Sequence, residues 1–444
     1  MSLFAWCLGG IALLDLWHYD VARAFTAGRN DFVYPYVALP QLADGAHAGP
    51  AFVLAQAAAM AGALLLLSGR LARAGASLLL GLYGYGFLSN RVAYTNNGFL
   101  LLLCLALVAL AGPGVGRRAL AFPRVMGRAL FTVMYVTAAL VKLEPDWLSG
   151  YLIGQAARHY HYAYSSLVAW YPPVVFRAVA WASIGVELFL GLAPWRPRLW
   201  PRAALVALGF HGAIELLLPV RLFSYLAIAS FAFSMPPGAA RRLRRRLPRS
   251  PQMRLFAGAA LASALGWLTI GAGLYPRASS AGTAWSMALG AALLALWLEG
   301  RIRRRPRPAP LESLAIRARV GIVTAFVATL LALALKPAWG GSHQFAWRMF
   351  TQDVRLQVNL EVREATDDWR PEPSLFGAAH LWSSDGYQHH WSSLPEQREF
   401  LEHYARWLLR RKPGWRGVKL VVRSRVNRGE WVKDEIVALR AASG

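Results

Sequence analysis

Residues 125–142 read VMGRALFTVMYVTAALVK. A helix that crosses a bilayer needs ~20 largely apolar residues, and this run is close to that length before it closes on a lysine. Comparable runs recur at 3–19, 50–68, 76–90, 98–112, 175–194, 203–218, 221–235, 255–275, 283–298 and 318–335. The expected fold is an all-α polytopic membrane bundle of about nine to eleven transmembrane helices. The composition agrees. Of 444 residues, 56% are hydrophobic and 16% charged, whereas an ordinary soluble chain is about a quarter charged. A soluble enzyme and a disordered chain are both disfavoured. The two cysteines, Cys7 and Cys104, sit inside apolar runs, so no disulfide framework is expected.

The formal net charge is +25, from 48 basic and 23 acidic residues. In a soluble domain such an excess points to nucleic acid. Here the basic residues fall between apolar runs, which is the pattern of cytoplasmic loops, so membrane lipid and not nucleic acid is the expected partner. Alternate loops carry the charge: Arg70 and Arg73, then Arg117, Arg118, Arg124 and Arg128, then Arg196, Arg198 and Arg202, then Arg241–Arg254 and Arg301–Arg307. The other loops hold isolated residues such as Arg91, Arg221 and Arg277. This asymmetry places the N-terminus in the cytoplasm and the loop after Lys142 outside, with the C-terminal region, in a bacterial-type inner or plasma membrane. The arginine runs suffice as topology anchors and also suit anionic lipid heads. No cleavable signal peptide is expected, because the first span lacks a basic leader and a small-residue cleavage site.

Composition changes after residue 336, which divides the chain into a transmembrane domain at 1–336 and an extramembrane α/β domain at 337–444. Alternation over Asp353–Val362 predicts a strand, and Val418–Val426 predicts another. Leu394–Lys412 predicts a helix, with Phe400, Tyr404, Trp407 and Leu408 on one face and Arg410, Arg411 and Lys412 in its last turn. The aromatic segment 142–174 reads as interfacial or re-entrant helices.

Ionisable groups inside a membrane cost about 2.5–3.5 kcal/mol each on insertion scales, so each is a functional candidate. Asp15, Lys142, Glu187, His211 and Glu215 qualify, with His211 and Glu215 four apart on one helix face. Their structural role would be to pair with one another and hold the bundle. Lys142 is the sharpest candidate for chemistry. Burial disfavours a charged amine, and a neutral amine is a usable base near neutral pH. Its structural reading is a lysine snorkelling at the membrane edge beside Trp147.

Four strings extend the reading. They are Asn90-Arg91-Val92-Ala93-Tyr94-Thr95-Asn96-Asn97; Met134-Tyr135 with Lys142-Leu143, Asp146-Trp147 and Gly150-Tyr151; Phe210-His211 with Phe223-Ser224-Tyr225 and Ala229-Ser230; and His343, Phe345 and Trp347-Arg348-Met349. In that order they resemble motifs of the vitamin K-dependent γ-carboxylase family and of the wider HTTM membrane domain to which it belongs. The resemblance implies an enzyme that couples oxidation of a reduced vitamin K or related quinol, with O2 and CO2 as co-substrates, to carboxylation of glutamate in an exported peptide. It implies Lys142 as the base, with His211, and Asn96, Asn97, Tyr135, Tyr225, Trp347 and Arg348 around the quinol. The family carries a histidine directly after Asn-Asn, where this chain has Gly98. His159 and His161 are on the same predicted side, and His161 is the candidate to replace it.

No metal site is expected. His159 with His161, and His389 with His390, lack cysteine or ordered carboxylate partners. His18 and His211 are too few for a haem carrier. No phosphate loop, zinc-protease string or serine elbow is present. The alternative to an enzyme is a non-catalytic HTTM protein that binds lipid or peptide as a maturation, immunity or transport factor. Gly98 favours that alternative, while Lys142 with Trp347-Arg348-Met349 favours the enzyme.

The orientation is directly testable. In a background without Cys7 and Cys104, a cysteine at Ser342 should react with an impermeant maleimide from outside, and cysteines at Pro236 or Pro308 should not. The reverse labelling pattern inverts the topology.

Overall fold

The computed structural model describes residues 2–18, 48–68, 71–89, 96–111, 121–159, 171–217, 222–235, 316–335, 354–364, 368–372, 394–426, 430 and 432–440. The chain is mostly helical. The expected spans at 3–19, 50–68, 76–90 and 98–112 are α1 (Ser2–His18), α2 (Ala48–Ser68), α3 (Ala72–Ser89) and α4 (Asn96–Ala111). Those at 125–142, 175–194, 203–218, 221–235 and 318–335 correspond to α5 (Ala121–Val141), α8 (Pro173–Leu192), α9 (Trp200–Leu217), α10 (Leu222–Ser234) and α11 (Ile316–Leu335). The expected spans at 255–275 and 283–298 lie outside the described residues. Between α5 and α8 the aromatic segment forms two short helices, α6 (Pro145–Leu148) and α7 (Tyr151–His159). By length and composition, Arg124–Val141 and Pro173–Trp195 are long and apolar enough to cross a membrane.

Helices α1 to α4 are apolar all round and pack in sequence order, α1 on α2, α2 on α3, α3 on α4. Such helices have no polar face to turn outward, so each must be covered by neighbours or by lipid. Phe4, Leu8, Leu66, Leu79, Leu100 and Leu105 form their buried contacts. A second group follows in the chain. α5 packs against α8, α10 and α11, and α9 packs against α10. At the end of this group near the start of α5, Arg128 donates to the Ser234 carbonyl (3.1 Å) and lies 5.9 Å from the Trp195 ring centre. Trp200 donates to the Phe231 carbonyl there (3.0 Å). These bonds satisfy carbonyls of the last turn of α10, which lie beyond its backbone hydrogen-bond ladder.

Gly150 joins α6 to α7. Its φ is +77°, in the left-handed region that glycine adopts without a Cβ penalty. A Cβ there would lie 2.4 Å from the Arg177 nitrogen and 2.5 Å from the Phe176 carbonyl carbon. The turn therefore presses directly on the backbone of α8, which seats Trp147 against Ala180.

Among the described residues, the C-terminal unit is a four-stranded sheet with one helix. The strands are β1 (Val354–Arg363), β2 (Trp369–Pro371), β3 (Gly417–Val426) and β4 (Val432–Leu439), and the helix is α12 (Leu394–Arg411). The order is β2-β1-β3-β4, antiparallel throughout. Val358 pairs with Val422, Leu360 with Leu420 and Val362 with Val418, so the alternation puts one apolar face under α12. Phe400, Tyr404, Leu408 and Leu409 cover it. Arg440, just after β4, donates to the Leu409 carbonyl (2.5 Å) and the Pro413 carbonyl (3.0 Å), closing the exposed end of α12.

Gly150→Ala should lower the unfolding midpoint of the detergent-solubilised protein, because a left-handed non-glycine residue costs about 1–3 kcal/mol before the clash with α8 is added. Tryptophan fluorescence during thermal unfolding measures it. An unchanged midpoint contradicts the close contact.

Candidate functional site

Tyr135 and Lys142 are seven residues apart, close to two helical turns, so they fall on one stripe of α5 roughly 10 Å apart along its axis. Lys142 sits just past the helix end, its amide bonded to the Ala139 carbonyl (3.2 Å). Opposite this stripe is the buried face of α8, where Ala180, Ser183, Ile184, Glu187 and Leu190 recur at helical spacing. Glu187 is the one acidic residue of α8. The Lys142 ammonium donates to Glu187 Oε1, and the two side chains are only 10% and 9% exposed. The same ammonium lies 4.9 Å from the Trp147 ring centre, a cation–π contact that holds the charge from a second side. Trp147 is itself fixed by donating its indole N–H to the Ala180 carbonyl (3.3 Å).

A second pair lies within electrostatic range. The Tyr135 hydroxyl and His211 Nε2 are 2.7 Å apart, joining α5 to α9. Either the phenol donates to a bare Nε2 or an Nε2–H donates to the phenol oxygen, according to the imidazole tautomer. His211 is 1% exposed, with Phe210 and Phe223 presenting edge contacts to its ring at 5.2 and 5.6 Å. Tyr135 and Lys142 share one stripe of α5, so the two pairs lie about two turns apart on the same face. The two pairs thus form one acid–base cluster inside an apolar, aromatic shell.

Three buried atoms in or beside this cluster have no hydrogen-bond partner among the described residues: Glu187 Oε2, His211 Nδ1 and Ser224 Oγ. Buried polar groups are normally bonded, and leaving one unmet costs about 1–3 kcal/mol. The cluster therefore carries unused hydrogen-bonding capacity. Close approach of α5 and α8 is set one turn beyond Glu187. A Cβ at Gly191 would stand 3.2 Å from Tyr135 Cβ and from Val136 Cγ2. Thr132 donates to the Gly191 carbonyl (2.8 Å) and accepts from the Trp195 indole (2.7 Å) at the same crossing.

These elements, α5 to α10, coincide with a stretch of known kind. Residues 121–237 match the family model of the HTTM domain. The chain carries a region similar to an HTTM domain. No curated protein and no solved structure matches the chain.

Of the residues expected at a site, the structure brings together Lys142, Tyr135 and His211. Asn96 and Asn97 open α4, which packs on α5 and α10. Tyr225 follows Phe223 by two residues, about 200° round α10, and packs in the bundle core while Phe223 takes the place against His211. His161, Trp347 and Arg348 lie outside the described residues, as do the side chains of Asp15, His159 and Glu215. Glu187 was legible as an ionisable candidate, but nothing in the sequence tied it to Lys142, 45 residues earlier. Trp147 was legible beside Lys142 as an interface anchor, and Ser224 only as a member of a motif.

Removing one member of a buried pair leaves an uncompensated charge. Lys142→Met and Glu187→Leu should each destabilise the solubilised protein by roughly 3–5 kcal/mol, and the double substitution by much less. Thermal unfolding of the four proteins measures the cycle. Additive losses contradict the pair.

Proposed function

We propose that the chain is a polytopic integral membrane enzyme of the γ-carboxylase-like kind, with the Lys142–Glu187 pair as its acid–base element. The observation that carries this reading is a buried lysine and carboxylate, next to a bonded tyrosine and histidine, inside the HTTM-matching segment. Ionisable groups in a membrane interior are expensive and generally functional. The remaining apolar helices and the alternating loop charges support a many-span bundle, N-terminus in the cytoplasm, over residues 1–336. The mixed-charge composition of 337–444 supports a separate extramembrane unit on the outer side.

The residues fit a reduced vitamin K or related quinol. Glu187 Oε2 and His211 Nδ1 are unmet polar atoms, and Trp147, Tyr135, Phe210 and Phe223 provide aromatic surface. That combination suits a flat apolar ring with hydroxyl groups, delivered through the bilayer. When bound, such a quinol supplies with O2 the oxidative driving force for removing a γ-proton of a peptide glutamate, and CO2 adds to the carbon so exposed. The chain's own part is to exclude water, to take up the hydroxyl proton at the Lys142–Glu187 pair, and to orient the ring through Tyr135 and His211. Asn96, Asn97, Trp347 and Arg348 complete the quinol surroundings in this reading, and His161 stands in for the family histidine.

Gly98 supports the second reading, a non-catalytic HTTM protein that binds lipid or peptide. Glycine has no group to transfer a proton where the family has an imidazole.

Purified protein given a reduced naphthoquinone and oxygen should form quinone epoxide, measured by chromatography, and Lys142→Ala should abolish it. Glutamate carboxylation should be weak in the natural protein and should rise in Gly98→His. Tight quinone, lipid or peptide binding with no epoxide from any quinol supports the binding protein instead.

A further inference from the structure

We propose that Glu187, and not Lys142, is the final acceptor of the proton taken from a bound hydroxyl, and that Lys142 remains an ammonium to hold the resulting anion. This rests on the quinol reading above and assigns the two members of its acid–base pair.

Lys142 donates to Glu187 Oε1. An ammonium has three donors and no lone pair, so it cannot receive a proton. Glu187 does have free acceptor capacity, because Oε2 is buried and unpartnered among the described residues. A hydroxyl that bonds to Oε2 therefore meets the one member of the pair able to take its proton. The O–H bond of the ring hydroxyl breaks, an O–H bond forms on Glu187, and no electrons change hands. The transfer is direct, from the ring hydroxyl to Oε2, and Lys142 keeps its three protons throughout.

Charge is conserved in a way that suits an apolar site. One cation and one anion are present before the step, Lys142 with Glu187. One of each is present after it, Lys142 with the ring oxygen. The ammonium changes partners and no new pair of charges is separated, which a low-dielectric interior would penalise heavily. Trp147 keeps the ammonium in place during the exchange, since its ring face is 4.9 Å away and does not depend on the state of Glu187.

Arginine separates the two assignments. It retains the cation but stays protonated in proteins, so it cannot act as the base. The full-length protein in lipid nanodiscs, without oxygen, is titrated with menadiol. Ring ionisation is followed by ultraviolet absorbance, and carboxyl protonation by infrared difference spectroscopy. In the natural protein, bound menadiol should ionise and a carboxylic-acid carbonyl band should appear together. Glu187→Gln should lose the band and lower the ionised fraction by about tenfold or more, the effect of one pKa unit in acceptor strength. Lys142→Arg should keep both signals, and Lys142→Met should lose the ring anion.

Ionisation that survives in Glu187→Gln but disappears in Lys142→Arg makes Lys142 the base and overturns the assignment, leaving the quinol reading intact. Natural protein that does not bind menadiol, or binds it without ionising it, overturns the quinol reading and the assignment with it. If Glu187→Gln does not fold, Lys142→Arg decides alone: retained ionisation supports the assignment and lost ionisation overturns it.

Discussion

A lysine and a glutamate buried together between two apolar helices are the constraint around which the rest of this region is arranged. Taking either charge out of water costs several kcal/mol even after relaxation, and the loss is recovered only with good geometry and supporting contacts. The chain provides them. α6 turns on Gly150, whose φ is +77°, and this brings the Trp147 ring over the ammonium. Gly191, one turn from Glu187, lets α8 lie against α5 closely enough for the pair to form.

The same stripe of α5 carries both halves of the cluster. Helical periodicity sets Tyr135 and Lys142 in line, and each finds its partner on a different neighbour, His211 on α9 and Glu187 on α8. Three helices are thus tied by polar bonds at two levels, with apolar contacts between. Near the start of α5, Arg128, Trp195, Trp200 and Ser234 form a separate set of hydrogen bonds. Polar satisfaction at both levels fixes the relative height of the helices, which non-directional apolar packing alone would leave open.

The C-terminal unit is held by different physics. Its helix is charged on one side and apolar on the other, and its strands alternate, so burial of one face is enough to set its pairing. The ion pairs of Arg398 with Glu402 and Asp434 lie on exposed side chains and contribute little. The contrast with Lys142 and Glu187 is one of environment and not of residue type.

Length and hydropathy were sufficient for the helices, because an apolar run of membrane length has few other ways to satisfy its backbone. Nine expected runs appear as helices, and α12, β1 and β3 fall within a residue or so of their predicted limits. The strands β2 and β4 were not legible. β2 is three residues long, and β4 has Lys433, Asp434 and Glu435 directly after its first residue, so its alternation emerges only when β3 lies beside it. Lys142, Tyr135 and His211 were legible as candidates because each is a polar group in an apolar setting or a recognisable string. Which groups meet was decided by tertiary structure alone. Glu187 reaches Lys142 at the α5–α8 crossing that Gly191 keeps close, and Phe223 takes the place beside His211 where α9 packs on α10. One-dimensional periodicity gives the face that a side chain occupies, but not the neighbour that faces it.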